Sequence, residues 1–377
     1  MSKIFLLSPL PPPVGGIASW TVNVLDYYQS NGNVTIVHQD TAVKSRAITD
    51  SGVASRVIAG SKDALGIIAS FYQLIRNHKP DVIHMTSSGS MGLWRDLLLS
   101  LLASFYRIPI VIHFRFGRIP EISRLNNWEW KLLKRVVSLT SAVMVLDNET
   151  HQVLSASGFE NIYNIPNPVS GSVAKLLNKD NQVINEDNYA RVEIIFVGHV
   201  VKNKGVFELV KACSLLSNVD ELLLIGPYED DVKESLLKST AGTSVKISLL
   251  GVLTKEDILA QMRSASMLVL PSYSEGFPNV IIEAMAMKCP VIATNVGAIA
   301  SMLDAGSEKP CGIVIEPKDV QSLVEAINVM ITDTAKTELF KENAFSKVKE
   351  QYTLEKVCSQ YEKVWDIAYQ QGKAKNV

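Results

Sequence analysis

Glu275 and Glu283 stand eight positions apart in Glu275-Gly276-Phe277-Pro278-Asn279-Val280-Ile281-Ile282-Glu283. The run before them, Met267-Leu268-Val269-Leu270-Pro271, is apolar and short enough for a buried strand. Glu275 is thereby placed on a loop at the carboxyl end of a strand, and Glu283 within the helix that follows. That edge of an open α/β sheet is where ligands bind. A Gly and a Pro at the turn suit a sharp entry into a helix. The N–H groups of a helix start attract phosphate, and the backbone N–H of Asn279 is placed to join such contacts.

A second loop follows the run Ile194-Ile195-Phe196-Val197. It reads Gly198-His199-Val200-Val201-Lys202-Asn203-Lys204-Gly205. A glycine at a strand end lets the backbone approach a ligand, and a lysine there neutralises diphosphate oxygens as a point charge. Taken singly, Lys204 is equally a solvated lysine at a helix start. Near the N-terminus, Pro9 to Ile17 includes Gly15-Gly16 directly after an apolar run. Their N–H groups can meet a phosphate or an acceptor, or the segment is a Pro-rich β–α loop. It lacks the Gly-x-Gly-x-x-Gly spacing, which disfavours a nicotinamide dinucleotide site. His113 ends the run Val111-Ile112-His113-Phe114, which directs it toward the ligand edge. Read alone, it is as readily a satisfied core histidine. Arg115 and Arg118 follow it and could hold acceptor phosphate, or simply be solvated.

These residues need a scaffold of strands and helices in alternation. Ile4–Leu7, Val34–Val37, Val82–His84, Ile110–Phe114 and Val143–Leu146 read as strands, with helical patterns near 17–29, 63–77, 91–107 and 125–138. The polar stretch from Ser170 to Ala190 breaks the pattern, and Ile165-Pro166-Asn167-Pro168 begins a linker. Alternation restarts with Val192–Val197, Leu222–Ile225, Val245–Leu249, Met267–Leu270, Val291–Ala293 and Ile313–Ile315. Helices are expected over about 319–331 and 354–369. Such alternation gives βαβ crossovers and a parallel sheet in each half, an α/β fold.

The chain has 377 residues, 47% of them apolar and 20% charged, enough for two cores. A net charge of −1 argues against nucleic acid as partner. Residues 1–165 hold 15 Lys+Arg against 11 Asp+Glu, and the remainder 22 against 27. The mildly basic first half suits an anionic acceptor or a membrane surface. Cys213, Cys289, Cys311 and Cys358 are widely spaced and read as free buried thiols. The longest apolar stretch, 97–106, falls far short of the ~20 residues that span a bilayer. A cytoplasmic protein is expected, with possible peripheral contact at the inner face of the membrane. Trp128 to Val137 mixes aromatics with Lys131, Lys134 and Arg135. The segment fits an amphipathic helix covering the sheet, or a membrane-surface helix.

The motifs together resemble those of the retaining glycosyltransferases of family 4. Glu275 and Glu283 match that family's Glu-x7-Glu motif, and 198–205 resembles its Gly-Arg-x-x-x-x-Lys-Gly motif. His199 stands where the arginine is usual, so one imidazole replaces a permanently charged fork. The loop Asn295-Val296-Gly297-Ala298 is similar to the family's Gly-Gly-x-Pro-Glu loop, with Ala298 for the second glycine and Ser301 for the glutamate.

The resemblance implies the GT-B fold, two Rossmann-like domains facing across a cleft. Residues 1–168 would bind acceptor and 169–350 the nucleotide-sugar donor, with 351–377 a helix crossing back to the first domain. It implies Glu275, His113 and Lys204 as catalytic residues. Gly16, Gly198, His199, Lys204, Gly276, Phe277, Pro278, Asn279 and Glu283 would bind donor, Glu283 through the ribose. Gly15, Arg115 and Arg118 would meet the acceptor. No Asp-x-Asp follows an early strand, so neither a metal nor another cofactor is expected. Lys204, helix starts and backbone N–H groups would stabilise the leaving nucleoside diphosphate. The implied reaction moves a sugar, with retention, from a nucleotide-diphospho-sugar to a saccharide or lipid-linked saccharide in surface-polysaccharide synthesis. A nucleotide-sugar epimerase or hydrolase on this fold, or a non-catalytic sugar-nucleotide-binding subunit, are the alternatives.

Overall fold

In a computed structural model of the chain, residues 3–12, 15–32, 34–42, 53–177, 191–239 and 245–374 are described. Most of the polar run 170–190 (178–190) lies outside them, as do Pro13 and Val14 of the Gly-Gly loop. Two compact units are present: Met1–Pro168 with Leu354–Val377, and Val169–Thr353.

The first unit runs β1 (Lys3–Ser8), α1 (Gly16–Asn31), β2 (Thr35–Asp40), α2 (Val53–His78), β3 (Val82–Ser87), α3 (Gly92–Phe105), β4 (Ile110–Phe114), α4 (Ile119–Leu125), α5 (Trp128–Val137), β5 (Ala142–Val145), α6 (Asn148–Ala156) and β6 (Ile162–Asn164). The six strands are all parallel, in the order β2-β1-β3-β4-β5-β6. Alternate strand residues serve opposite faces, as a period of two requires. Phe5, Leu7, Ile83 and Ile112 pack under α2 to α6, while Ile4, Leu6, Val82 and Val111 pack under α1 and the chain's last helix.

The second unit runs α7 (Gly171–Leu177), β7 (Glu193–Val197), α8 (Val206–Ser214), β8 (Glu221–Ile225), α9 (Asp230–Ser239), β9 (Lys246–Gly251), α10 (Lys255–Ser264), β10 (Met267–Leu270), α11 (Asn279–Ala286), β11 (Val291–Thr294), α12 (Ile299–Met302), β12 (Ile313–Ile315), α13 (Val320–Thr332) and α14 (Thr334–Lys347). Its sheet is also parallel, ordered β12-β11-β10-β7-β8-β9. Numbered from its own first strand this is 3-2-1-4-5-6, the doubly wound dinucleotide-fold order. A π-helical turn over Val348–Tyr352 closes the unit. Then α15 (Leu354–Ala374) returns to the first unit and buries Val357, Tyr361 and Trp365 beside α1.

Several elements were illegible in the residue pattern: β6, α4, α6, α7 and α14. Three-residue β6 carries too little periodicity. The helical pattern over 125–138 splits, because Asn126 takes a left-handed conformation that ends α4 and the Asn127 side chain accepts from the Trp130 N–H to start α5. In α5, Trp130, Leu132, Leu133, Val136 and Val137 are buried, so the segment covers the sheet. No helix among the described residues is long and apolar enough to cross a membrane. All four cysteines are buried free thiols.

Candidate active site

In the second sheet the chain steps outward from β7 through β8 to β9, then returns to place β10 beside β7. The β7–β10 pair is therefore the topological switch point, where the loops leaving two adjacent strands part and leave a crevice. Those loops are 198–205 and 271–278. The motif lysine and the motif glutamate lie on them and meet: Lys204 Nζ is 2.6 Å from Glu275 Oε1. Ser272 Oγ donates to the same oxygen at 2.7 Å. An ammonium has three N–H donors. Among the described residues one of them is engaged, and Glu275 Oε2 accepts no hydrogen bond. Both side chains are partly open, 26% and 14% exposed. The pair is a cation beside a carboxylate, with donors and an acceptor left open at the strand ends.

Backbone packing sets that geometry. Gly205 has φ +71, and a Cβ there would lie 2.0 Å from the Pro271 carbonyl oxygen. Gly226, φ +137, passes equally close to the Gly198 carbonyl. Only glycine allows the two approaches, because both the backbone angle and the space exclude a side chain. The Tyr273 N–H donates to Asn203 O, so the lysine loop and glutamate loop are also joined by backbone. A third loop locks onto them: the Ala298 N–H donates to Gly276 O, and a Cβ on Gly297 would lie 2.4 Å from Glu275 O.

Glu283 sits one helical turn and more away, 6% exposed, and pairs with Lys255 at the start of α10. Burial raises its carboxyl above the ordinary carboxylate range, against the opposing pull of the Lys255 ammonium. Lys255 was not singled out from sequence. The available signal was its place just after strand β9 and the Thr254 cap, on the same ligand edge. Ser272 and Tyr273 were missed too; the Tyr273 hydroxyl donates to Glu208 and its ring lies under the Lys318 ammonium. His199 is exposed, Phe277 packs edge-on to Tyr352, Pro278 caps α11 and Asn279 opens it. Ser301, at the usual glutamate position, turns its hydroxyl back to Ala298 O.

In the first unit Gly15 and Gly16 are exposed at the start of α1, with open space where side chains would be. His113 departs from the strand-end expectation. It is fully buried, stacked on His84 and enclosed by Trp20 and Tyr361. Its position in β4 puts it on the α1/α15 face, one pleat beyond buried Val111. Trp365 Nε1–H donates to His84 Nδ1, which assigns the His84 proton to Nε2 and makes it the donor to His113 Nδ1 at 3.3 Å. His113 then carries its proton on Nε2, facing Arg115 Nη1 at 3.4 Å, donor against donor. Both rings are neutral: burial and the Arg115 charge hold His84 down at about 3 and His113 well below its usual value. Arg115 stacks on Trp20 at 4.3 Å and donates to Asn167 Oδ1 at 2.7 Å; burial lowers it to about 10. Arg118 is committed to Glu129 at 2.9 Å and to Ser90 Oγ at 2.8 Å.

Residues 178–347 match the family model described as glycosyl transferases group 1, and residues 14–171 match that of glycosyltransferase family 4. The chain belongs to this glycosyltransferase family. Among curated relatives, the putative teichuronic acid biosynthesis glycosyltransferase TuaC of Bacillus subtilis is 27% identical over 67% of this chain. The capsular polysaccharide biosynthesis glycosyltransferase CapM of Staphylococcus aureus is 29% identical over 53%. The matches span 61% and 52% of those two relatives' own lengths. Among solved structures, sucrose-phosphate synthase of Thermosynechococcus elongatus superposes with a TM-score of 0.72 at 17% identity, covering 98% of this chain and all of that one. HepE of Anabaena in complex with UDP gives 0.69 at 18%, covering 97% and 100%. At that identity the likeness is one of fold, and the glycosyltransferase fold is GT-B.

Proposed function

We propose that the chain is a retaining glycosyltransferase that moves a sugar from a nucleotide-diphospho-sugar to a saccharide or lipid-linked saccharide of a surface polysaccharide. The observation that carries this reading is the Lys204–Glu275 pair at the β7–β10 switch point, on loops that glycine contacts hold together. Lys204 would sit against the diphosphate and stabilise charge developing on the leaving group as the glycosidic bond to it breaks. No acid need protonate a diphosphate at neutral pH. Glu275 would hold sugar hydroxyls through its free oxygen and, through its other one, keep the ammonium in place. Glu283 would meet the ribose at the far end, its carboxyl held in place by Lys255. His113, being enclosed by Trp20, His84 and Tyr361, would support the buried ring cluster rather than touch substrate. The acceptor class follows the family membership and the polysaccharide roles named for TuaC and CapM.

Calorimetric titration with UDP, GDP, dTDP and ADP tests the donor site, with UDP first because HepE was crystallised with UDP and with UDP-glucose. One nucleotide is expected to bind selectively. Lys204→Ala should weaken it about 10- to 100-fold, the loss of one charge-assisted contact, and Glu283→Ala should weaken it as well. Acceptor-dependent nucleotide release then separates transfer from epimerisation. Binding of no nucleotide by folded protein would sink the reading.

A further inference from the structure

An apolar stripe runs along the solvent face of α3 from end to end, and Ser104 is the helix's one exposed polar residue. Met91 (65% exposed), Trp94 (50%), Leu98 (50%), Leu101 (43%) and Phe105 (80%) recur at intervals of three and four, so they form one stripe. The only charged residues of α3, Arg95 and Asp96, neutralise each other at 2.6 Å with their side chains 15% and 0% exposed. A surface helix ordinarily turns charge outward; this one turns out a tryptophan, a phenylalanine and leucines.

The surroundings of the stripe are basic. α2 and α5 pack on either side of α3. Arg76 and Lys79 are exposed at the end of α2, Arg107 just beyond α3, and Lys131 and Arg135 on α5 beside exposed Trp128. Within residues 65–138 the acidic groups are Asp81, Asp96, Glu121 and Glu129, of which Glu121 alone is exposed. An apolar stripe with aromatic anchors and a cationic border is the chemistry of a helix lying in the interface of an anionic bilayer, rings at headgroup depth and cations on lipid phosphates. At 14 residues α3 is about 20 Å long, well under the ~30 Å of a hydrocarbon core, so it would lie in the plane. A second copy of this chain seated stripe on stripe would bring the basic borders together, which opposes that occupant.

We propose that the outer face of α3, bordered by Arg107, Lys131 and Arg135, docks the first unit on an anionic membrane surface. The anchoring helix is therefore α3 and not the Trp-rich α5, whose apolar side chains are buried against the sheet. This inference does not depend on the transfer reaction.

Vesicle flotation of the full chain tests it, with phosphatidylcholine alone and with about one-third phosphatidylglycerol added. The protein should float with the anionic vesicles, less so as salt rises. Leu98→Glu/Phe105→Glu should lose at least about tenfold in partition, and Lys131→Glu/Arg135→Glu a comparable factor on anionic vesicles only. Should the glutamate pair impair folding, Leu98→Ala/Phe105→Ala replaces it; tryptophan emission and the unfolding midpoint are the controls. No flotation of the unaltered protein would overturn the proposal, as would undiminished flotation of the α3 variants. Loss of a dimer in those variants, without flotation of the parent, would overturn it in favour of a self-interface.

Discussion

Both units wind a six-stranded parallel sheet between helices, but their interiors are built from different chemistry. Around the second sheet lie mostly aliphatic residues and methionines, with three cysteines and the scattered rings of Phe196, Phe340 and Tyr352, and the unit's one histidine, His199, is exposed. On the α1/α15 face of the first sheet the same layer holds Trp20, His84, His113, Tyr361 and Trp365, all buried and in ring contact. In the second unit the polar chemistry has moved out to the strand ends, where glycine contacts hold Lys204 against Glu275. One unit is thus pinned by backbone approach at its rim, and the other by a hydrogen-bonded aromatic cluster at its centre. Backbone approach tolerates no added atom and is indifferent to pH. A neutral histidine cluster tolerates small changes of shape but not a proton.

The sharpest way to break that contrast is a methyl group at the rim. Gly226→Ala puts a Cβ 2.0 Å from the Gly198 carbonyl at φ +137, and neither side of the contact is a side chain that can swing away. The expected loss exceeds about 4 kcal/mol, in the range reserved for strained backbone and overpacking. All five tryptophans, 20, 94, 128, 130 and 365, lie in the first unit. Urea unfolding followed by tryptophan emission should therefore hold its midpoint while the circular-dichroism transition moves to lower urea. Midpoints that shift together would mean that the units unfold as one body, and the contrast between them would lapse as a statement about stability.

Those two styles of construction were unequally visible in the residues. Strands buried on both faces read as apolar runs, so the two-sheet plan was legible from alternation alone, and the Gly-Phe-Pro turn marked the site loop. The need for glycine at 205 and 226 was not legible, because it arises from a carbonyl more than 20 residues away along the chain. Lys255 was hidden for the same reason: an ion pair across 28 residues leaves no local pattern. His113 looked like a strand-end ligand because periodicity gives its face and not what covers that face. Its cover, Tyr361 and Trp365, comes from a helix some 250 residues further on.

Acid should separate the units next. In the folded state His84 sits at about 3 and His113 well below its ordinary value, whereas unfolded histidine titrates near 6.5. Below pH 6.5 the unfolded chain therefore binds protons that the native cluster refuses. A depressed folded value means stability present above the unfolded value and lost as pH falls. The loss approaches about 1.4 kcal/mol per pH unit for each histidine. Between pH 6.5 and 5 the tryptophan-detected midpoint should fall by the equivalent of about 2–4 kcal/mol. In His113→Asn the pH slope should be roughly halved. A slope that is unchanged in this variant would place the acid sensitivity outside the cluster.

The smallest effect tests whether the cluster is held by hydrogen bonds or by ring packing alone. Trp20 Nε1–H donates to the Tyr361 hydroxyl at 2.9 Å, with both residues buried. Tyr361→Phe keeps the ring and strands a buried indole N–H, at a cost of about 1–3 kcal/mol. Trp20→Phe removes the donor and some packed area besides, and loses the stacking surface under Arg115. If the bond matters, the double variant is less destabilised than the two single changes added together, because the second substitution no longer leaves a donor unpaired. The coupling should be about 1 kcal/mol, read from urea midpoints with Trp130 and Trp365 as the remaining buried reporters. Additive losses would mean that the first unit, like the second, is held by shape, with the hydroxyl incidental.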